Sequence, residues 1–166
     1  MEFMLKDPQE LTQFLELGVD SWERSATWGP STYEAHALVM SHDTDGTMDS
    51  ELAALKRLVE VLRGHTSSPN AAYFCFWDGW GFELDAPKLE SVARGYYVTS
   101  GPLNGLDGWP NSASTGDVSP AFVWPEDRSW VIAKDVDAEA IGLAASRSAI
   151  AAVSSEREFE VRKYCS

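Results

Sequence analysis

Cysteine is scarce in this chain, and so is positive charge. Only Cys75 and Cys165 occur, one inside an apolar run and one beside the last residue. Neither belongs to a CxxC pair or stands at metal-ligand spacing from a histidine, which argues against a disulfide framework and against a zinc site. A free thiol in a reducing compartment is the simplest expectation. Lys and Arg number 13 against 26 Asp and Glu, a formal charge of −13. No stretch gathers enough cations to neutralise a run of phosphates, so binding to nucleic acid or to an anionic membrane is not expected.

Long hydrophobic runs are missing too: no stretch approaches the roughly 20 apolar residues that a membrane span requires. The opening MEFMLKDPQEL is acidic by its second residue and meets Pro8 at once, unlike the basic and then apolar regions of a secretory signal. The expected location is the cytoplasm. Catalytic signatures are absent as well, with no GxSxG, HExxH or GxxxxGK[ST], and Gly79-Trp-Gly81 runs on to Phe82-Glu-Leu84 rather than completing a GxGxxG. His36, His42 and His65 share no local spacing for a metal, and no cofactor signature is present.

What the chain does have is a core. Its 166 residues are 44% hydrophobic and 23% charged, far from the composition of disordered chains, and this length suits one domain spanning 1–166. Asp7-Pro8 followed by Leu11, Phe14, Leu15 and Val19 predicts a helix capped by Asp7, with Pro8 in its first turn. Trp28-Gly-Pro30 punctuates, 33–40 predicts a strand, and 42–50 is a polar loop. Leu52, Leu55, Leu58, Val59 and Leu62 fall at helical spacing before Gly64, predicting a helix over 51–63.

The aromatic run 71–77 predicts a buried central strand that the Asp78-Gly79 turn ends. Residues 91–100 and 129–136 predict further strands, 101–119 a long surface loop, 146–153 a short helix, and 158–164 a terminal strand or helix extension. Strands and helices without regular βαβ spacing predict an α+β fold, mainly an antiparallel sheet with a few packed helices.

Two features stand out as candidate sites. The first is Trp124-Pro-Glu-Asp-Arg-Ser-Trp130. Pro125 restricts φ, Glu126 and Asp127 suit a turn, Arg128 can fork onto a carboxylate such as Glu126, Asp127 or Asp135, and Trp130 opens a strand. These residues read either as an ion-paired turn clamped by two indoles or as a recognition rim, because Trp and Arg are enriched at binding hot spots. The candidate binding residues are Trp124, Glu126, Asp127, Arg128 and Trp130, with Trp109 added from the Gly- and Pro-rich loop. Together with Leu62 to Gly81, this stretch resembles a group of uncharacterised bacterial proteins, common in actinobacteria, that share an aromatic WPEDR-x-W strand entry. The likeness covers about the C-terminal two thirds of the chain and implies no activity. This chain departs from it after Asp137, reading AEAIGLAASRSAI where the group is richer in Tyr-Val-Gly-Gly.

The second feature is Asp43-Thr-Asp-Gly-Thr47, which is similar to the first motif of haloacid-dehalogenase-like phosphatases. That resemblance implies Asp43 as nucleophile, Asp45 as acid/base and Mg²⁺ on the phosphate. Against it stand polar Ser41-His42 where a buried strand should aim the nucleophile, the lack of a downstream Gly-Asp-x-x-x-Asp motif, and no sign of a doubly wound sheet. Asp-x-Asp-Gly is also plain turn chemistry before a helix. The leading functional expectation is therefore a non-enzymatic interaction protein of the immunity or antitoxin kind, its acidic surface meeting a basic protein partner. The alternative is a small phosphatase-like enzyme or ligand-binding domain. An acidic surface equally serves solubility.

Overall fold

The computed structural model describes residues 8–42, 48–81, 86–90, 94–108 and 119–164. Its strands are β1 (Ala35–Ser41), β2 (Ala72–Trp77), β3 (Lys88–Glu90), β4 (Gly95–Gly101), β5 (Phe122–Pro125), β6 (Val131–Ala133), β7 (Ile141–Ala145) and β8 (Phe159–Lys163). They form one sheet in the order β3-β4-β2-β5-β6-β7-β1-β8, every pairing antiparallel. With helices α1 (Pro8–Phe14), α2 (Trp22–Trp28), α3 (Met48–Leu62) and α4 (Arg147–Ser154) against it, the fold is α+β. Strand β2 is internal, as its aromatic run requires, and β8 is a strand rather than a helix extension.

The pleat sends alternate residues to opposite faces, and both faces are covered. On the first, Phe74, Phe76, Val123, Trp130, Ile132 and Leu143 meet the buried stripe of α3 and the Ala149, Ile150 and Val153 side of α4. Helix α3 buries Leu52, Leu55, Leu58, Val59 and Leu62, the positions that its periodicity marks. Helix α4 starts at Ser146, whose Oγ accepts the Ala149 N–H at 3.1 Å.

The second face carries Tyr73, Cys75, Tyr96, Phe122, Trp124 and Val131 beneath Leu11, Leu15 and Leu17. Here the sequence reading falls short. Helix α1 stops at Phe14, so Val19 lies beyond it and is exposed. The stop is Glu16 at φ +56°: Leu17 N–H bonds to Thr12 O at 3.1 Å and Glu16 N–H to Gln13 O at 3.1 Å, the paired bonds of a Schellman motif. Helix α2 and strands β3, β5 and β7 are unforeseen. Strand β7 is the Gly- and Ala-rich stretch, and its small residues have a purpose. A Cβ added at Gly142 would lie 2.0 Å from the Thr27 carbonyl oxygen, so α2 rests directly on the strand's backbone.

No described helix is long and apolar enough to cross a membrane.

Candidate functional site

The Trp124–Trp130 segment is the hairpin between β5 and β6. Trp124 and Trp130 are both 0% exposed and sit on opposite faces of the sheet, so neither presents surface to a partner in this fold. Trp130 Nε1 donates to Leu62 O at the end of α3, 3.0 Å away, while Trp124 stacks on its cross-strand neighbour Tyr73 with ring centroids 5.3 Å apart. Asp127 knits the turn. Its carboxylate accepts the N–H and Oγ–H of Ser67 at 2.8 and 2.9 Å, and those of Ser129 at 3.0 and 2.7 Å. Burial works against its ionisation, but the bonds from Ser129, Ser67 and Thr66 outweigh that and hold the carboxyl well below the usual range.

Arg128 overturns one expectation. It pairs with none of Glu126, Asp127 or Asp135 but forks onto Glu10 of α1, with Nη1–Oε1 at 2.7 Å and Nη2–Oε2 at 2.8 Å, and its guanidinium lies 4.0 Å from the Phe14 ring centroid. The reason is backbone geometry. Arg128 has φ +57°, a left-handed conformation that throws its side chain out of the turn and across the second face toward α1. Tyr33 Oη fastens the same residue by donating to Arg128 O at 2.7 Å. The turn is therefore a clamp between the sheet and α1, and Glu126 is exposed beside it.

Asp43, Asp45 and Trp109 lie outside the described residues. The phosphatase likeness implies a parallel, doubly wound sheet, whereas β1, the strand leading toward Asp43, pairs antiparallel with both β7 and β8. Among the described residues no three His, Cys, Asp or Glu side chains are placed to hold a metal ion. Cys75 is completely buried and its thiol is pushed up by that burial, so little thiolate is available for nucleophilic chemistry.

Convergent chemistry appears elsewhere, where β2 and β6 end and β4 and β5 begin. A cavity of about 280 Å³ opens there, lined among others by Trp77, Trp80, Tyr96, Arg94, Lys134 and Glu51. Trp77 is consequently half-buried rather than a wholly enclosed core residue. The chain turns sharply after it, and an added Cβ at Gly79 would meet the Trp77 indole at 2.0 Å. That close fold-back leaves Trp77 and Trp80 edge to face, 5.5 Å apart. Arg94 lies 4.7 Å from the Trp77 ring centroid and 5.5 Å from that of Trp22 on α2, and it pairs with Asp135 at 3.3 Å. Tyr96 Oη accepts the Trp22 Nε1 proton at 3.0 Å, and burial pushes the phenol up to about 12 despite that bond.

Lys134 is the unusual member. Its side chain is only 6% exposed, although it follows directly on the apolar strand β6. The Nζ donates to Asp135 O at 2.9 Å and to Ala138 O, and the Glu51 carboxylate stands 4.0 Å away. Burial pulls its pKa below the ordinary lysine value, against the opposing pull of Glu51, Asp135 and Asp137. An ammonium has three N–H bonds. Two go to carbonyls, and 4.0 Å is too long for a hydrogen bond to Glu51, so among the described residues one donor is left at the cavity. Sequence reasoning missed both Lys134 and Arg94. The available signal was a lysine closing the apolar run Val131-Ile-Ala133, since an uncompensated cation is costly next to a core.

The cavity thus joins aromatic walls, a buried amine with one donor that no described residue accepts, and the Arg94–Asp135 ion pair. It has no counterpart by which to name it, for no protein-family model, curated protein or solved structure matches this chain.

Proposed function

We propose that this chain is a small-molecule-binding domain, and that its ligand is a planar aromatic compound bearing a carbonyl or carboxylate oxygen. The observation that carries the reading is the Lys134 ammonium, enclosed beside aromatic walls with one N–H that no described residue accepts. Apolar cavities with a few convergent polar groups and a perturbed pKa are the usual form of ligand sites. Trp77 and Trp80 supply the apolar contact, Arg94 is locked by its stacking and its carboxylate, and Lys134 orients the ligand oxygen. The volume of about 280 Å³ suits a ligand of one ring or two, at the small end of such pockets.

Benzoate and benzamide are the probes, with toluene as the arm that has the ring but no acceptor. Titration followed by the indole N–H resonances of Trp77 and Trp80 should show saturable shifts for the first two and weaker ones for toluene. Lys134→Met, which keeps the stem and removes the donor, should weaken benzamide about tenfold, the ~1.4 kcal/mol of one hydrogen bond to a charged group. Equal binding of all three compounds, or no change in Lys134→Met, would sink the assignment.

A second reading rests on the charge of −13: an interaction protein of the immunity or antitoxin kind, steered electrostatically onto a basic partner. Its mark would be a salt-sensitive complex with a basic protein encoded beside this chain's gene. The absence of such a complex would leave the charge to solubility alone.

A further inference from the structure

The cavity at the opposite end of the sheet has a different character. About 590 Å³ in volume, it lies where β1 begins and β7 and β8 end, and its lining includes Arg24, His36, Arg147, Lys163 and Tyr164, with Glu34 the sole acidic residue. That is a marked local reversal in a chain with twice as many carboxylates as Lys and Arg. The one carboxylate is already engaged, because Glu34 Oε1 accepts the Arg147 N–H at 2.7 Å. Neither the Arg24 nor the Arg147 guanidinium is ion-paired among the described residues. Elsewhere cations such as Arg57, with Glu156 and Glu158, and Lys88, with Asp78, are paired.

The cleft is also held in place before any ligand arrives. Arg24 donates to Gly29 O at 3.3 Å and lies 5.4 Å from the Tyr164 ring centroid. Tyr164 in turn packs edge-on against Trp28 at 4.9 Å, and its N–H bonds to His36 O at 2.8 Å. Even so Tyr164 is 42% exposed, one of only two large hydrophobic residues so exposed among the described residues. His36 Nε2 stands 2.7 Å from the Pro30 carbonyl and so carries its proton there. Two guanidinium groups, a lysine and a partly exposed tyrosine therefore surround one concave space.

We infer that this cleft binds a small phosphate-bearing molecule of nucleotide type, its phosphates on Arg24, Arg147 and Lys163 and its ring against Tyr164. Planar guanidinium forks match phosphate oxygens two at a time, and an aromatic or Arg-backed surface stacks a base without regard to its identity. The site is separate from the Lys134 cavity, and its occupancy is independent of the function proposed above.

Calorimetric titration with ADP and with inorganic pyrophosphate, at fixed ionic strength, tests the assignment. Both should bind saturably, and ADP more tightly. Arg147→Gln and Arg24→Gln should each weaken both ligands about tenfold or more, the ~1.4 kcal/mol or greater of a charge-assisted hydrogen bond. Tyr164→Leu should remove the advantage of ADP over pyrophosphate. Arg157→Gln, the same change of charge at an exposed site outside the cleft, should alter neither. No binding by the wild type, or an equal loss in Arg157→Gln, would overturn the site, since the effect would then be one of net charge. ADP bound no tighter than pyrophosphate by the wild type would overturn the role given to Tyr164.

Discussion

The two faces of the sheet are built on different physical terms. The α3 and α4 face is mainly aliphatic, and its principal helix runs for 15 residues with an unbroken apolar stripe. A helix of that length carries its own pattern and needs only a surface to dock on. The α1 and α2 face is aromatic, and each of its helices is only seven residues long, too short to persist alone in water. Specific polar contacts hold them: the Arg128 fork on Glu10, Trp22 Nε1 on Tyr96 Oη, and the buried Ser25 Oγ on Leu15 O at 2.5 Å. One face is thus held mostly by area, the other by area together with directional bonds from distant parts of the chain.

The two buried tryptophans offer the sharpest way to break this contrast. Trp130 on the aliphatic face has its indole N–H satisfied by Leu62 O, whereas Trp124 Nε1 on the aromatic face is buried with no partner among the described residues. Trp130→Phe removes the indole bond to Leu62 O and leaves a small void, so it should cost about 2–4 kcal/mol. Trp124→Phe removes an unsatisfied donor and should cost at least ~1 kcal/mol less. Urea unfolding of both variants measures the difference, and equal losses would show that the N–H groups do not separate the faces.

Arg128 comes next in size. Its side chain is 26% exposed and that of Glu10 43%, so the pair lies between the surface case and the buried one. Arg128→Ala should destabilise by about 1–3 kcal/mol. Arg128→Lys should recover less than half of that, because a point charge cannot reproduce the fork. Hydrogen exchange adds a regional readout: amides of α1 should lose protection while those of α3 keep theirs. Uniform loss across both helices would mean that Arg128 braces the whole sheet rather than one face.

The smallest effect is expected from pH. Asp127 has a folded pKa below its unfolded value, so the folded state holds its proton less tightly. Its stabilising contribution is complete above the unfolded carboxylate range near pH 4 and is lost as the pH falls below it. Replacing it with Asn should flatten the acid limb of stability against pH. An unchanged limb would assign acid sensitivity to other carboxylates.

Much of the fold was legible from local pattern. The stripe of α3, the aromatic run of β2, the alternation of β8 and the lack of βαβ spacing each record a periodicity that burial imposes on neighbouring residues, and together they suffice for an antiparallel α+β fold. Strand β7 escaped notice because Ile-Gly-Leu-Ala-Ala lacks strand-like bulk. Gly142 and Ala144 are small to admit α2, a partner more than a hundred residues earlier in the chain.

The sites were less legible still. Trp124 and Arg128 resemble hot-spot residues by type, and only their placement shows an enclosed indole and a clamp on Glu10. Lys134, Arg94, Trp77 and Glu51 come from four separate stretches of the chain, and nothing in their spacing marks them as neighbours. By itself, then, the chain determined its longest helix, its central aromatic strand, its excess of acidic residues and which residues seek a core, because those depend on composition and short-range periodicity. Tertiary structure alone decided which cations remain unpaired and which amine is enclosed, because both depend on desolvation and on charges brought together across the sheet.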